Sequence, residues 1–213
     1  MQKSAIILGA TGLTGSLVLK QLLSNESYTN IKLFSRTSCG IQHSKLEEHL
    51  VDVLHLENVK SVFTADQLFC CIGTTKKKTP DPELYSKIDF GIPAEAAMLC
   101  KENNIPVMAI VSAIGADSKS KIFYNRTKGK MEDAVQSAGI ERTYILRPSI
   151  IYGGRKEKRS GEKMGIAVFK ALKFLFIGRL KKYRAVDAND IAKCMIQLAN
   201  SGEASKVVES DGI

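Results

Sequence analysis

Tyr124 and Lys128 stand four residues apart, and Ser112 precedes the tyrosine by twelve. On a helix, positions i and i+4 share a face, so the Lys128 ammonium can lie beside the Tyr124 phenol. A nearby cation favours the phenolate and draws a tyrosine pKa from about 10 toward neutrality, as a general acid or base requires. Ser112 could then hold a carbonyl oxygen by hydrogen bond while the phenol gives or takes a proton. The spacing alone is cheap, because the chain has six tyrosines and is rich in lysine. A second copy, Tyr28 and Lys32, reads as straddling a turn between helix and strand, a coincidence. Only Tyr124 combines the spacing with an upstream serine and a helix that follows a strand.

A second set of residues suits phosphate. Gly9-Ala10-Thr11-Gly12-Leu13-Thr14-Gly15 follows a short apolar run and opens an apolar helical pattern. A phosphate approaches a backbone closely where no Cβ intervenes, and a helix start offers free N–H groups and a positive dipole end. Gly9 permits the tight turn, Gly12 the close approach, and Gly15 the packing of helix on strand. The spacing is G-x-x-G-x-x-G, and its place between strand and helix marks it as a dinucleotide turn. The next apolar run ends in Ser35-Arg36-Thr37-Ser38, with no carboxylate nearby. Sites selective for NAD place an acid there, whereas NADP sites want a cation. Arg36 can stack on adenine and pair with a 2′-phosphate, and the hydroxyls of Ser35 and Thr37 can donate to it. NADP(H) is therefore expected in preference to NAD(H).

These groups need a scaffold that brings strand ends together. Strands are expected at 5–8, 31–34, 49–53, 68–72, 106–112 and 143–146, each nearly continuous in apolar residues. Helices are expected behind the glycine turn, from Asp81-Pro82, and over 123–137, with Gly91-Ile92-Pro93 interrupting the second before 94–100. That alternation predicts an α/β fold: a doubly wound, mostly parallel Rossmann sheet joined by right-handed crossovers. No linker or repeat is visible, so 1–213 reads as a single domain. The roughly sixty residues after Gly153, with helices over 162–177 and 187–200, read as a small cap over the strand ends.

The 213 residues are 44% hydrophobic and 25% charged, an ordinary globular composition, and carry a net charge of +9. Basic residues gather at 76–78, 119–130, 155–159 and 181–184, a field that attracts anions. No nucleic-acid-binding module is readable, so nucleic acid is not an expected partner. The five cysteines are odd in number, lack Cys-x-x-Cys, and read as reduced thiols. The three histidines lack metal-site spacing, so no metal is expected. No apolar run reaches the length of a signal-peptide core or membrane span, which predicts a soluble, cytoplasmic protein. The partner is expected to be a small-molecule substrate, and the chain a monomer or homodimer.

The glycine turn, Ser112, Tyr124-Asn-Arg-Thr-Lys128-Gly129 and Arg147-Pro148-Ser149 together resemble an atypical short-chain dehydrogenase/reductase. Within that superfamily the chain is similar to the Tat-interacting-protein oxidoreductase group, small proteins related to nucleotide-sugar epimerases. Phe69-Cys-Cys-Ile-Gly-Thr-Thr-Lys76, Ser112-Ala-Ile-Gly-Ala-Asp117 and Ile145-Leu-Arg-Pro-Ser-Ile150 carry that nearer likeness, which spans almost the whole chain. The resemblance implies that Asp52 and Val53, closing the third strand, contact adenine. Cys71, Ile72 and Gly73 would line the adenosine side, with Thr74 near the phosphates or ribose. Lys128 would also bind the nicotinamide ribose, and Pro148 to Ile150 would touch the carboxamide. Tyr124 would be the proton donor or acceptor, with Ser112 its partner. Ala113 departs from the pattern, since relatives often carry a second serine there.

Three functions compete at this level. The intact Ser112, Tyr124 and Lys128 favour an NADP(H)-dependent oxidoreductase acting on a carbonyl or alcohol. A cofactor-loaded, redox-responsive regulatory module would bind without turnover. A nucleotide-sugar epimerase or dehydratase needs more pocket than the residues after Gly153 can readily build. The apolar stretch 162–177 reads as a core or dimer-facing helix, with a substrate lid or membrane-surface contact as sharper alternatives. The basic stretch 155–159 reads as a solvated loop or a gate for an anionic substrate.

Overall fold

The computed structural model describes residues 2–153 and 178–213. Seven strands form one all-parallel sheet: β1 (Lys3–Leu8), β2 (Tyr28–Ser35), β3 (Leu46–Leu50), β4 (Gln67–Cys70), β5 (Val107–Val111), β6 (Arg142–Arg147) and β9 (Lys206–Glu209), in the order β3-β2-β1-β4-β5-β6-β9. A separate two-stranded pairing joins β7 (Ile151–Tyr152) to β8 (Val186–Asp187). The doubly wound reading of the sequence is borne out.

The continuous apolar runs have the cause that a two-sided parallel sheet requires. Alternate residues of each strand face opposite layers. Ala5, Ile7, Leu33, Phe69, Ala109 and Leu146 pack with α1 (Leu13–Leu23) and α5 (Ala188–Ser201). Ile6, Leu8, Phe34, Leu68, Met108, Ile110 and Ile145 pack on the other side, against α3 (Ile92–Glu102) and α4 (Phe123–Ser137).

Several boundaries differ from the sequence expectation. β3 begins at Leu46 and ends at Leu50, whereas 49–53 was expected. It is an edge strand, exposed at Glu47 and Leu50, so its ladder to β2 sets its limits while the apolar Val51 and Val53 lie just past its end. β2 starts at Tyr28, so Tyr28 and Lys32 share a strand and straddle no turn. Tyr28 is buried and donates to Gln67 Oε1 at 2.6 Å, a core role.

Asp81 caps the next helix as expected, accepting the N–H groups of Glu83 and Leu84. Gly91-Ile92-Pro93 does not interrupt it. α2 (Pro82–Ser86) runs into a π-turn (Lys87–Gly91) and then α3 on one path. The wide turn admits Pro93, which has no N–H to give the preceding turn, without ending the helix.

Residues 186–213 are not a cap. α5 packs on α1 and against β5 and β6, and β9 extends the main sheet beside β6. The expected helix 162–177 and basic loop 155–159 lie outside the described residues.

Candidate nucleotide-binding and catalytic site

The glycine turn shows why each glycine stands where it does. Gly9 has φ +82°, a left-handed conformation, and its carbonyl accepts the Gly12 N–H at 2.9 Å. A Cβ on Gly15 would lie 2.1 Å from the Gly9 oxygen, so the first turn of α1 rests directly on the loop. Gly12 is the N-cap of α1, with no side-chain cap and no acidic residue in the first turn. The helix start is left with donors and a positive dipole end facing no protein anion.

That turn lies in a long cleft with two continuous halves. One, about 640 Å³, is lined by Gly9, Thr11, Gly12, Ser35, Arg36, Thr37, Val53, Cys71, Ile72, Gly73, Thr74 and Lys78, among others. The other, about 480 Å³, shares Thr11, Gly12, Cys71, Ile72, Gly73, Thr74 and Lys78, and adds Leu13, Thr14, Ser112, Tyr124 and Lys128. The cleft therefore leads from the Arg36 loop, past the glycine turn, to the Tyr124 helix. An extended dinucleotide fits such a path: a cation at one end, backbone donors in the middle and a phenol–ammonium pair at the other.

One expected residue sits differently. Asp52 does not line the cleft; it is exposed, and its carboxylate accepts the Leu54 N–H at 3.0 Å. Gly15 is buried behind the turn and acts through packing. The Ser35–Ser38 loop also has a carboxylate nearby after all. Glu48 of β3 accepts from the Ser38 hydroxyl at 2.6 Å and the Cys39 N–H at 2.7 Å. Strand pairing brings it there from ten residues away, and it stays outside the cleft lining.

Pro148 and Ile150 line an adjacent chamber of about 520 Å³ with Ala113, Ile114, Ser149, Tyr183 and Tyr124. Tyr124 thus belongs to the walls of both cleft and chamber. Among the described residues, and apart from Tyr124 and Tyr183, the chamber's one polar side chain is Ser149, whose hydroxyl donates to the Arg184 carbonyl. Among the described residues, no charged side chain is in this lining.

At the Tyr124 end of the cleft, three features were missed in the sequence. Asp89, in the π-turn, is 1% exposed and stands 2.7 Å from Lys128 Nζ, itself 5% exposed. The other Asp89 oxygen accepts the Thr74 N–H at 2.7 Å. Glu132, one turn beyond Lys128 on α4, is also buried and accepts the Ser112 hydroxyl. Arg147 clamps the same carboxylate from β6 at 2.6 Å and reaches Glu209 at 2.9 Å. Lys78 joins both halves of the cleft from the loop after β4. Asp81-Pro82 pointed to a helix near Asp89, but nothing local marked the π-turn that faces it inward.

This arrangement corrects the expected electrostatics of Tyr124. Tyr124 is 41% exposed, but the partial burial of its phenol still pushes it above its ordinary 10; Lys128 pulls it down, and Asp89 pushes it up again. Asp89 offsets part of the Lys128 charge, so burial prevails. The phenol is thus raised above its ordinary range, the reverse of the sequence expectation.

A seven-stranded parallel sheet with a glycine turn at the central reversal of strand order defines a doubly wound dinucleotide-binding protein. The chain belongs to the NAD(P)H-binding family, whose family model matches residues 9–201. It is 33% identical to the mitochondrial protein FMP52 of Candida albicans over 93% of this chain and 89% of that one. It is 28% identical to the HTATIP2 protein of Rattus norvegicus over 80% of this chain and 72% of the relative. Among solved structures, the UDP-N-acetylglucosamine 4-epimerase of Methanobrevibacter ruminantium matches with a TM-score of 0.74 at 17% identity, over 98% of this chain and 76% of that one. The family resemblance read from the motifs is borne out: this is an NAD(P)-binding Rossmann protein homologous to FMP52 and HTATIP2, with the fold of short-chain-dehydrogenase-type epimerases. Among the described residues no helix is long and apolar enough to cross a membrane.

Proposed function

We propose that the protein is an NADP(H)-dependent oxidoreductase that interconverts a carbonyl and an alcohol. The observation that carries this reading is the single cleft that joins Arg36 and Lys78 to Tyr124 and Lys128. The two cations suit an adenosine 2′-phosphate, to which Arg36 can present a planar fork and Lys78 a point charge. The glycine turn would take the pyrophosphate, Val53 and Ile72 the adenine, and Lys128 the nicotinamide ribose. The nicotinamide, when bound, supplies or receives the hydride. Tyr124 gives its phenolic proton to the carbonyl oxygen as the carbonyl carbon gains hydride, closing the balance from C=O to CH–OH.

The chamber beside Tyr124 supports a substrate with one carbonyl and an apolar body. Its described walls offer little to the many hydroxyls of a sugar nucleotide, which weighs against epimerase chemistry despite the shared fold. Cofactor binding without turnover is the second reading. It is favoured by Ser112, whose proton goes to Glu132, and by a phenol that burial holds above its ordinary range.

Cofactor fluorescence separates these readings, and the absence of tryptophan leaves that signal clean. NADPH is expected to bind at least about tenfold more tightly than NADH, and Arg36→Ala to remove most of that preference. Equal affinities would defeat the NADP assignment. With an apolar aldehyde or ketone panel, Tyr124→Phe is expected to abolish turnover while NADPH affinity holds. Binding without turnover across the panel would favour the regulatory module.

The unpaired cysteines suit a reducing compartment, and our reading is the cytoplasm. The mitochondrion in the Candida relative's name is the rival, and fractionation of the tagged protein decides between them.

A further inference from the structure

The proton-transfer end of the cleft contains one more charge than the proposed reaction uses. Asp89 is carried on the π-turn between α2 and α3, a backbone irregularity that shifts its face relative to an unbroken helix. The turn is well tied. Tyr85, just before it, stacks edge-on against Phe123 with ring centroids 5.4 Å apart, fixing this helix against the start of α4. One Asp89 oxygen meets Lys128; the other accepts from Thr74 in the cleft-lining loop. The pair lies just under that loop, for a Cβ on Gly73 would stand 3.7 Å from Asp89 Oδ1 and 3.8 Å from Lys128 Nζ.

A buried carboxylate this close to a buried ammonium is costly to separate, so the two charges act on their surroundings as a unit. Toward Tyr124, Asp89 offsets part of the Lys128 charge. The groups that face this cluster are few. Lys128 shares α4 with Tyr124, while Asp89 and Tyr85 come from the α2–α3 helix. Lys78 comes from the loop after β4, Cys70 from β4 itself, and Tyr183 lines the chamber side. Of these, Asp89 is the one negative charge at neutral pH among the described residues.

We propose that Asp89 is a positioning residue that anchors Lys128 and supplies the counter-charge that leaves Tyr124 a proton donor, biasing the site toward carbonyl reduction over alcohol oxidation. Reduction needs the phenol protonated when substrate arrives; oxidation needs the phenolate. A lone lysine would favour phenolate, and Asp89 opposes that influence. The same carboxylate ties the cleft loop to the catalytic helix. The consequence for turnover rests on the oxidoreductase reading, but the electrostatic claim stands apart from it.

The test therefore reads Tyr124 directly. Protein labelled with [13Cζ]tyrosine is titrated by NMR without cofactor, with the Tyr124 signal assigned by its loss in Tyr124→Phe. In Asp89→Asn, which keeps an oxygen for the Thr74 N–H, the phenol should ionise about one pH unit lower, a tenfold gain in acidity. In Lys128→Met it should ionise at higher pH, because Asp89 is left unmatched. The double variant should fall between the two, as opposing charges in one cluster require. An unmoved Tyr124 signal in Asp89→Asn overturns the proposal, as does a shift of the same sign in both single variants. Should Asp89→Asn not fold, Lys128→Met alone decides: no upward movement overturns it. These outcomes do not depend on whether any substrate is turned over.

Discussion

Ser112 answers to two neighbours at once. Its N–H pairs with the Leu146 carbonyl, which extends the β5–β6 ladder by one residue, and its hydroxyl is spent on Glu132. Glu132 is buried and shared with Arg147, whose guanidinium is pushed further above its ordinary range by the Glu132 hydrogen bond. Such a network is stable while complete and costly when one member is removed. Ser112→Ala removes a donor from a buried carboxylate and is expected to cost about 1–3 kcal/mol. Glu132→Ala strips both Ser112 and one side of Arg147, and should cost about 3–5 kcal/mol. Urea unfolding of the two variants checks the order. Turnover in Ser112→Ala should survive far better than in Tyr124→Phe. An Ser112→Ala protein as stable as the parent but catalytically dead would return the serine to the substrate.

At the scale of elements, backbone contact separates glycines that look alike in the sequence. A Cβ on Gly15 would strike the Gly9 carbonyl at 2.1 Å, whereas one on Gly12 would stand 3.2 Å from it. Gly12→Ala is therefore expected to fold, with NADPH affinity at least about tenfold weaker because the methyl occupies the phosphate approach. Gly15→Ala should fail to fold or lose more than about 3 kcal/mol, since the obstruction is backbone on both sides. Thermal melts and cofactor titration separate the two; matched melting temperatures would contradict the packing argument. Gly129, part of the motif around Tyr124, has the same character: a Cβ there would lie 2.1 Å from the Ser118 nitrogen. These contrasts mark what was legible. α4 was read to the residue because its helical pattern is local, and the glycine turn because its neighbours on either side are local too. The π-turn was not, since Gly91-Ile92-Pro93 has the local chemistry of a helix breaker and its continuation depends on packing from other elements. β9 was not, since Val207 and Val208 make a strand only through their long-range pairing with β6. Asp89 and Glu132 stayed hidden for a related reason: a charged residue in a helix reads as solvated until the fold supplies Lys128, Ser112 and Arg147.

Across the whole molecule, net charge and buried acids make opposite claims about alkaline pH. A chain of +9 sheds self-repulsion as pH rises from neutrality, so its surface alone would gain stability. The interior argues the reverse. Burial pushes the Cys70 thiol from 9.0 to about 11 and lifts Cys71 and Cys100 further still. Burial likewise raises the phenols of Tyr28 and Tyr85. An unfolded thiol loses its proton near 9, while folded Cys70 keeps it to about 11. Between those values the unfolded state binds fewer protons, so stability falls as pH rises; below 9 this contribution is constant. Cys70 alone is worth on the order of 2 kcal/mol across the window, and the buried Cys100 adds to it. Exposed charges, screened within about 10 Å at ordinary salt, offset little of this. Urea midpoints should therefore hold to about pH 8.5 and then drop steeply by about pH 10.5, under reducing conditions and with little change on adding salt. Cys70→Ala should be less stable at neutral pH yet show a shallower alkaline decline, because one buried acid is gone. A midpoint that rises through this range would mean that surface repulsion, not the thiols beneath the cleft, governs the molecule at high pH.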